Sequence, residues 1–154
     1  MGVVVSLKDV VDAMDVPNDD WTSYVNPKTG EIVTVTDEDR QLVEDEDLDE
    51  ATLPEWRRES LPSVRAALES DDFLALPDKF EIHEWAIMER FANGQVREAR
   101  RDELLDAIHG AGAFRSFRSA VRRLRIEEEW FSFRQSAFER IAIGWLEAHG
   151  ISFR

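Results

Sequence analysis

The segment that most narrows the possible folds is Asn26-Pro27-Lys28-Thr29-Gly30, set between Trp21-Thr22-Ser23-Tyr24-Val25 and Glu31-Ile32-Val33-Thr34-Val35-Thr36. Both flanks are rich in β-branched and aromatic residues, which suit a pleated, half-buried surface. Pro27 fixes φ for a helical-type turn, and Gly30 supplies the left-handed residue that lets the chain return. The expected product is a β-hairpin. Two strands alone are marginal in water, so the hairpin must pack on helices or find another strand. Phe73-Leu74-Ala75-Leu76-Pro77 is either that third strand or a buried connector.

The rest of the chain reads as helix. Before the hairpin, Leu7, Val10, Val11 and Met14 fall on one helical face, with Ser6 as cap, Asp9 at the third position and Pro17-Asn18-Asp19-Asp20 as the break. After it, Asp37 can cap a short helix carrying Leu42 and Val43. Trp56, Leu61, Val64, Ala67 and Leu68 suggest a further helix, interrupted or restarted near Pro62. Asp78 can cap a helix over 79–92 with Phe80, Ile87, Met88 and Phe91 inward, Trp85 beside them and Asn93-Gly94 as the stop. Helices over 95–108, 113–124 and 127–148 follow. Leu104, Leu105 and Ile108 turn inward in the first, and three acids open the last at the positive end of its dipole. Phe114, Phe117, Trp130, Phe138, Ile141 and Trp145 are expected in one buried cluster. The expected fold is α+β: an N-terminal helix and β-hairpin packed with a predominantly helical C-terminal part. At 154 residues it reads as a single compact domain, with helix plus hairpin over 1–36, an acidic linker over 37–52 and a mainly helical part over 53–154.

Charge is unevenly placed. The formal net charge is -14, yet residues 1–78 hold 21 acids and 6 bases while residues 79–154 hold 12 and 13. The first region repels nucleic acid; the second need not. The run Glu44-Asp45-Glu46-Asp47 reads as a solvated linker. The absence of cysteine excludes disulfides, zinc knuckles and thiol nucleophiles. No apolar run approaches the roughly 18 residues of a membrane span. A soluble cytoplasmic protein is expected, with no membrane partner.

Several stretches together are similar to a known pattern. They are Tyr24-Val25-Asn26-Pro27-Lys28-Thr29-Gly30-Glu31-Ile32-Val33 and Leu76-Pro77-Asp78-Lys79-Phe80-Glu81-Ile82, then Leu105-Asp106-Ala107-Ile108-His109-Gly110-Ala111-Gly112-Ala113-Phe114-Arg115-Ser116-Phe117. Trp130-Phe131-Ser132-Phe133-Arg134 and Ala142-Ile143-Gly144-Trp145-Leu146 complete them. On these residues the chain resembles number 158 of the uncharacterised protein family (UPF) series, a small bacterial family. The resemblance spans nearly everything from residue 5 to 153. It implies a shared fold and no activity.

The candidate sites come from the residues. His83-Glu84 opens like a zincin motif, but Ile87 stands where the second His is needed. His83, His109 and His149 are far apart in sequence, so no metal is expected, nor any cofactor. Glu81 and Glu84, one helical turn apart, could do acid–base work with His83 if burial split their pKa values; a solvated helix face is the simpler reading. No catalytic residue is assigned on that ground. Gly110 and Gly112 either aim backbone amides outward at the start of the next helix, an anion site, or make a tight corner where only glycine permits close packing. The tight corner is the expectation.

In the helix beginning at Ala113, Phe114, Phe117, Val121 and Leu124 recur at i, i+3, i+7 and i+10, and Arg115, Arg118, Arg122 and Arg125 repeat that spacing one residue on. The arginines are expected to flank the buried seam. They could track phosphates, receive the chain's own acids from 37–50 or 127–129, or meet an acidic protein. Net charge disfavours nucleic acid. The expected function is a non-catalytic interaction or regulatory module with a protein partner. Nucleic-acid or phosphate-ligand binding through Gly110, Gly112, Arg115, Arg118 and Arg122 is the alternative. An enzyme using Glu81, His83 and Glu84 is the third reading.

Overall fold

The computed structural model describes residues 3–16 and 20–154, with the backbone but not the side chain of Phe80. The break expected at Pro17-Asn18-Asp19 and the inward Phe80 lie outside the described residues. The fold is α+β, with a small three-stranded antiparallel sheet and a helical C-terminal part. The chain divides into two compact units, 1–78 with 142–154, and 79–141. The charge divides at the same place: the first unit carries 22 acids and 7 bases, the second 11 and 12.

In the first unit, α1 (Leu7–Met14) is capped by Ser6, whose Oγ accepts the Asp9 N–H at 3.2 Å. Strands β1 (Thr22–Val25) and β2 (Ile32–Val35) form the expected hairpin, with Tyr24 opposite Val33. β3 (Leu74–Ala75) pairs with the other edge of β1, so the short apolar run is a strand. Alternation gives the sheet two faces. Tyr24, Val33 and Val35 share one face and pack with Val64 and Ala67 of α3 (Glu55–Glu69). On the other, the buried Ser23 hydroxyl donates to Ala13 O at the end of α1 and meets Thr34 Oγ1, both at 2.8 Å. Near the chain ends, Val5 N–H donates to Ser152 O and Arg154 N–H to Val5 O.

The hairpin corner rests on Gly30. Its φ is +79°, and a Cβ built there would stand 3.1 Å from Val3 Cγ1. Gly30→Val therefore meets left-handed strain and a close contact together, and is expected to destabilise by about 1 kcal/mol or more. A denaturant midpoint equal to wild type would refute this. Beside the corner, Lys28 hydrogen-bonds Asp72 at 2.7 Å, and that bond raises its pKa.

Three expectations in this unit are corrected. Helix α2 (Asp37–Glu44) is capped by Thr36 rather than Asp37: Thr36 Oγ1 accepts the Asp39 N–H, and Asp39 Oδ2 accepts the Thr36 N–H. Helix α3 runs through Pro62 without interruption. Pro62 and Arg58 both lie on its exposed side, where water can take the carbonyl that loses its partner. Trp56 is 61% exposed and outside the apolar face; the Arg57 guanidinium lies over its ring at 4.7 Å.

The second unit holds α4 (Lys79–Ile82), α5 (Glu84–Asn93), α6 (Glu98–Ala107), α7 (Ala113–Arg123) and the first part of α8 (Glu127–Ala148). Phe91, Phe117 and Trp130 meet edge to face around its core, with centroids 4.8 Å apart for Phe117 and Trp130. Trp85 Nε1 donates to Ile108 O at 3.0 Å. The expected helix over 79–92 is two helices, because His83 takes a left-handed conformation with φ 53° between them. The helix expected from 95 begins at Glu98. Of the six residues expected in one cluster, Phe117 and Trp130 are buried and in ring contact, and Phe138 is buried. Phe114 is 47% exposed, and Ile141 and Trp145 are only partly buried.

Candidate functional site

Helix α7 is the strongest candidate. Its start follows an exposed loop, His109-Gly110-Ala111-Gly112, in which Gly110 and Gly112 have φ of +90° and +74°. A Cβ at either glycine would meet nothing within 4 Å, so the tight-corner reading is corrected. The glycines serve the left-handed backbone, not close packing. Gly112 is the cap residue, and no side chain caps the helix. The first-turn amides of a helix have no partner within it.

Arg115, Arg118, Arg122 and Arg125 are all exposed. Among the described residues no carboxylate lies within salt-bridge reach of any of them, so pairing of this face with acids of the same copy is corrected. At about 100° per residue, Arg115, Arg118 and Arg122 fall within about 60° of one another. They stand roughly 140° round the helix from the buried Phe117, Ala120 and Val121. The arginines thus lie nearer opposite the seam than beside it, and Phe114 occupies the flank.

The fifth arginine behaves differently. Arg123 holds Glu103 of α6 through two nitrogens, at 2.6 and 3.1 Å. It falls outside the three-and-four spacing of the stripe, which is the sequence signal that set it apart. Between α6 and α7 lies an open cleft of about 470 Å³ lined by Arg115, Ser116, Ser119 and Arg123 on one side and Glu103 and Asp106 on the other.

Arg125 was missed as a conformational feature. Its φ is 57°. The Arg125 N–H donates to Arg122 O and the Ile126 N–H to Val121 O, the pair of bonds that closes a Schellman motif. At the end of α8 the same pair of bonds surrounds Gly150, with φ 66°. An arginine therefore stands where glycine is at home.

The Glu81, His83 and Glu84 grouping does not form one helix face. The left-handed His83 separates Glu81 on α4 from Glu84 on α5. Glu84 Oε1 accepts from Arg134 Nε at 2.6 Å, and the Arg134 guanidinium lies 4.2 Å from the centre of the Phe138 ring. Glu84 is thereby committed to packing α5 on α8. Among the described residues no three His, Asp or Glu side chains converge as a metal site, and no helix is long and apolar enough to cross a membrane.

Compared with known proteins, residues 2–154 match the model of the Uncharacterised protein family (UPF0158). Neither the curated proteins nor the solved structures give a match.

Proposed function

The chain belongs to the uncharacterised protein family UPF0158, and on that premise we propose that it is a non-catalytic interaction module of the bacterial cytoplasm, receiving an acidic protein segment on the arginine face of α7. The observation that carries this is the row of four exposed arginines without a carboxylate partner among the described residues. Isolated surface charges are common; three arginines on one side of a helix, with Arg125 just past its end and their neighbour Arg123 already paired, make a surface arranged to receive negative charge. The exposed Phe114 beside it adds an apolar anchor, and aromatic and arginine side chains dominate binding hot spots.

The backbone at Arg125 supports the same reading. A left-handed L-residue costs about 1–2 kcal/mol, while glycine brings back about 0.5–1 kcal/mol of unfolded-chain entropy. Arg125→Gly is therefore expected to stabilise the protein by about 0.5–1 kcal/mol. Strain held at an exposed charged residue points to a use for the charge.

An acidic protein segment is favoured over nucleic acid by charge density. Duplex DNA carries one negative charge per about 1.7 Å, and a chain of net charge -14 opposes such a polyanion more than a peptide with a few carboxylates. The test is a titration of a labelled peptide rich in Glu and Phe, beside a duplex and a single-stranded oligonucleotide, across a salt series. Arg118→Gln with Arg122→Gln should weaken peptide binding tenfold or more with an unchanged melting temperature. Arg125→Gly should weaken it while raising that temperature. Steeply salt-dependent oligonucleotide binding, lost in the same double variant with a slope change of about 0.7–0.9 per lost phosphate contact, would overturn the choice in favour of nucleic acid.

A further inference from the structure

Resting on that reading, we propose that the acidic segment is the chain's own: residues 44–47 of one copy dock on the α7 arginine face of a second copy. Glu44, Asp45, Glu46 and Asp47 are all exposed, and among the described residues none has a cationic partner. Three of the acids near them are ion-paired within the chain. Glu38 and Asp39 hold Arg57 at 2.6 and 3.2 Å, and Glu50 holds Arg65 at 2.8 Å. The acidic run and the α7 arginines are thus two surfaces of opposite charge, each without an ion-pair partner among the described residues.

Their shapes agree. The acidic run leaves the end of α2 and passes into a turn at Glu46 and Asp47, so its carboxylates are presented from a compact bend. Arg118 and Arg122 stand one helical turn apart, about 6 Å along the axis. A compact acidic bend suits that pair better than an extended polyanion would. The overall charge of -14 opposes approach of two copies at long range. Within a Debye length, about 8 Å at physiological salt, the local patches decide. The association is therefore concentration-dependent and strongly salt-sensitive.

Sedimentation velocity of the full chain at low ionic strength and at about 1 M salt, where the Debye length is about 3 Å, tests this. Wild type should associate with rising concentration at low salt and be monomeric at high salt. Arg118→Glu with Arg122→Glu, and separately Glu44→Lys with Glu46→Lys, should each weaken association tenfold or more. An equimolar mixture of the two charge-swapped proteins should associate again, which also shows that both are folded. A wild type monomeric at every concentration, association that survives either swap, or a mixture that stays monomeric would overturn the proposal. If the wild type is monomeric but the Glu- and Phe-rich peptide still binds α7, only this inference falls. If the peptide also fails to bind, the reading beneath it falls too.

Discussion

Replacing Phe117 with alanine is expected to lower stability by about 3–5 kcal/mol, the largest effect of any single substitution considered in the 79–141 unit. Phe117 has no exposed surface. Its ring meets Trp130 at 4.8 Å with an interplanar angle of 72° and Phe91 at 6.3 Å with 77°, both edge-to-face arrangements. Truncation removes the apolar transfer term and leaves a void that Trp130 and Phe91 cannot both fill without leaving their packed rotamers. Phe114, one turn earlier on the same helix, is the internal control. At 47% exposure its truncation should cost less than about 1 kcal/mol. Urea unfolding followed by tryptophan fluorescence would measure both. Equal midpoints for the two alanine variants would show that the buried face of α7 is misassigned.

Phe114 and Phe117 also show how far the sequence could be read. The i, i+3, i+7, i+10 recurrence located α7 and its seam, because period is a property of the whole helix. It could not decide the fate of the first-turn residue, whose neighbours come from other elements. The hairpin was legible because Pro27 and Gly30 act through local backbone geometry, and α8 because its bounds are marked by Glu127 to Glu129 and by Gly150. The break at His83 was not legible. Residues 79–92 keep a helical pattern with no internal Gly or Pro, and the left-handed His83 turns up as a tertiary feature, next to a Glu84 drawn to Arg134 fifty residues on. The arginine row could be read directly. Whether it was paired could not, since pairing depends on which acids the fold brings near, and among the described residues the α7 arginine given an acid is the one off the row.

The second large effect is expected at Asp39, whose long-range partner left no trace in the local sequence. Asp39 Oδ1 accepts from Arg57 Nη1 at 3.2 Å, and the two side chains are only 13% and 15% exposed. Its other oxygen accepts the Thr36 N–H at 3.0 Å, completing the capping box of α2. Asp39→Ala removes both bonds. Loss of a cap costs about 0.5–2 kcal/mol, and breaking a buried pair up to about 3–5 kcal/mol. Arg57 keeps Glu38 at 2.6 Å and retains some access to water, so the combined cost should be about 2–3 kcal/mol. Asp39→Asn, which keeps an acceptor for Thr36, should cost about 1 kcal/mol less. Glu38→Ala should be nearly neutral, because that carboxylate is 75% exposed. The consequence extends beyond stability. At eight residues α2 is too short to hold as an isolated helix, so the tie from Asp39 to Arg57 fixes it on α3 and fixes where residues 44–47 emerge. Asp39→Ala should therefore weaken self-association at low salt even at temperatures where the protein remains folded. Sedimentation of that variant beside Glu38→Ala separates the two roles: a loss in both would make the effect one of net charge, and a loss in Asp39→Ala alone would make it one of placement.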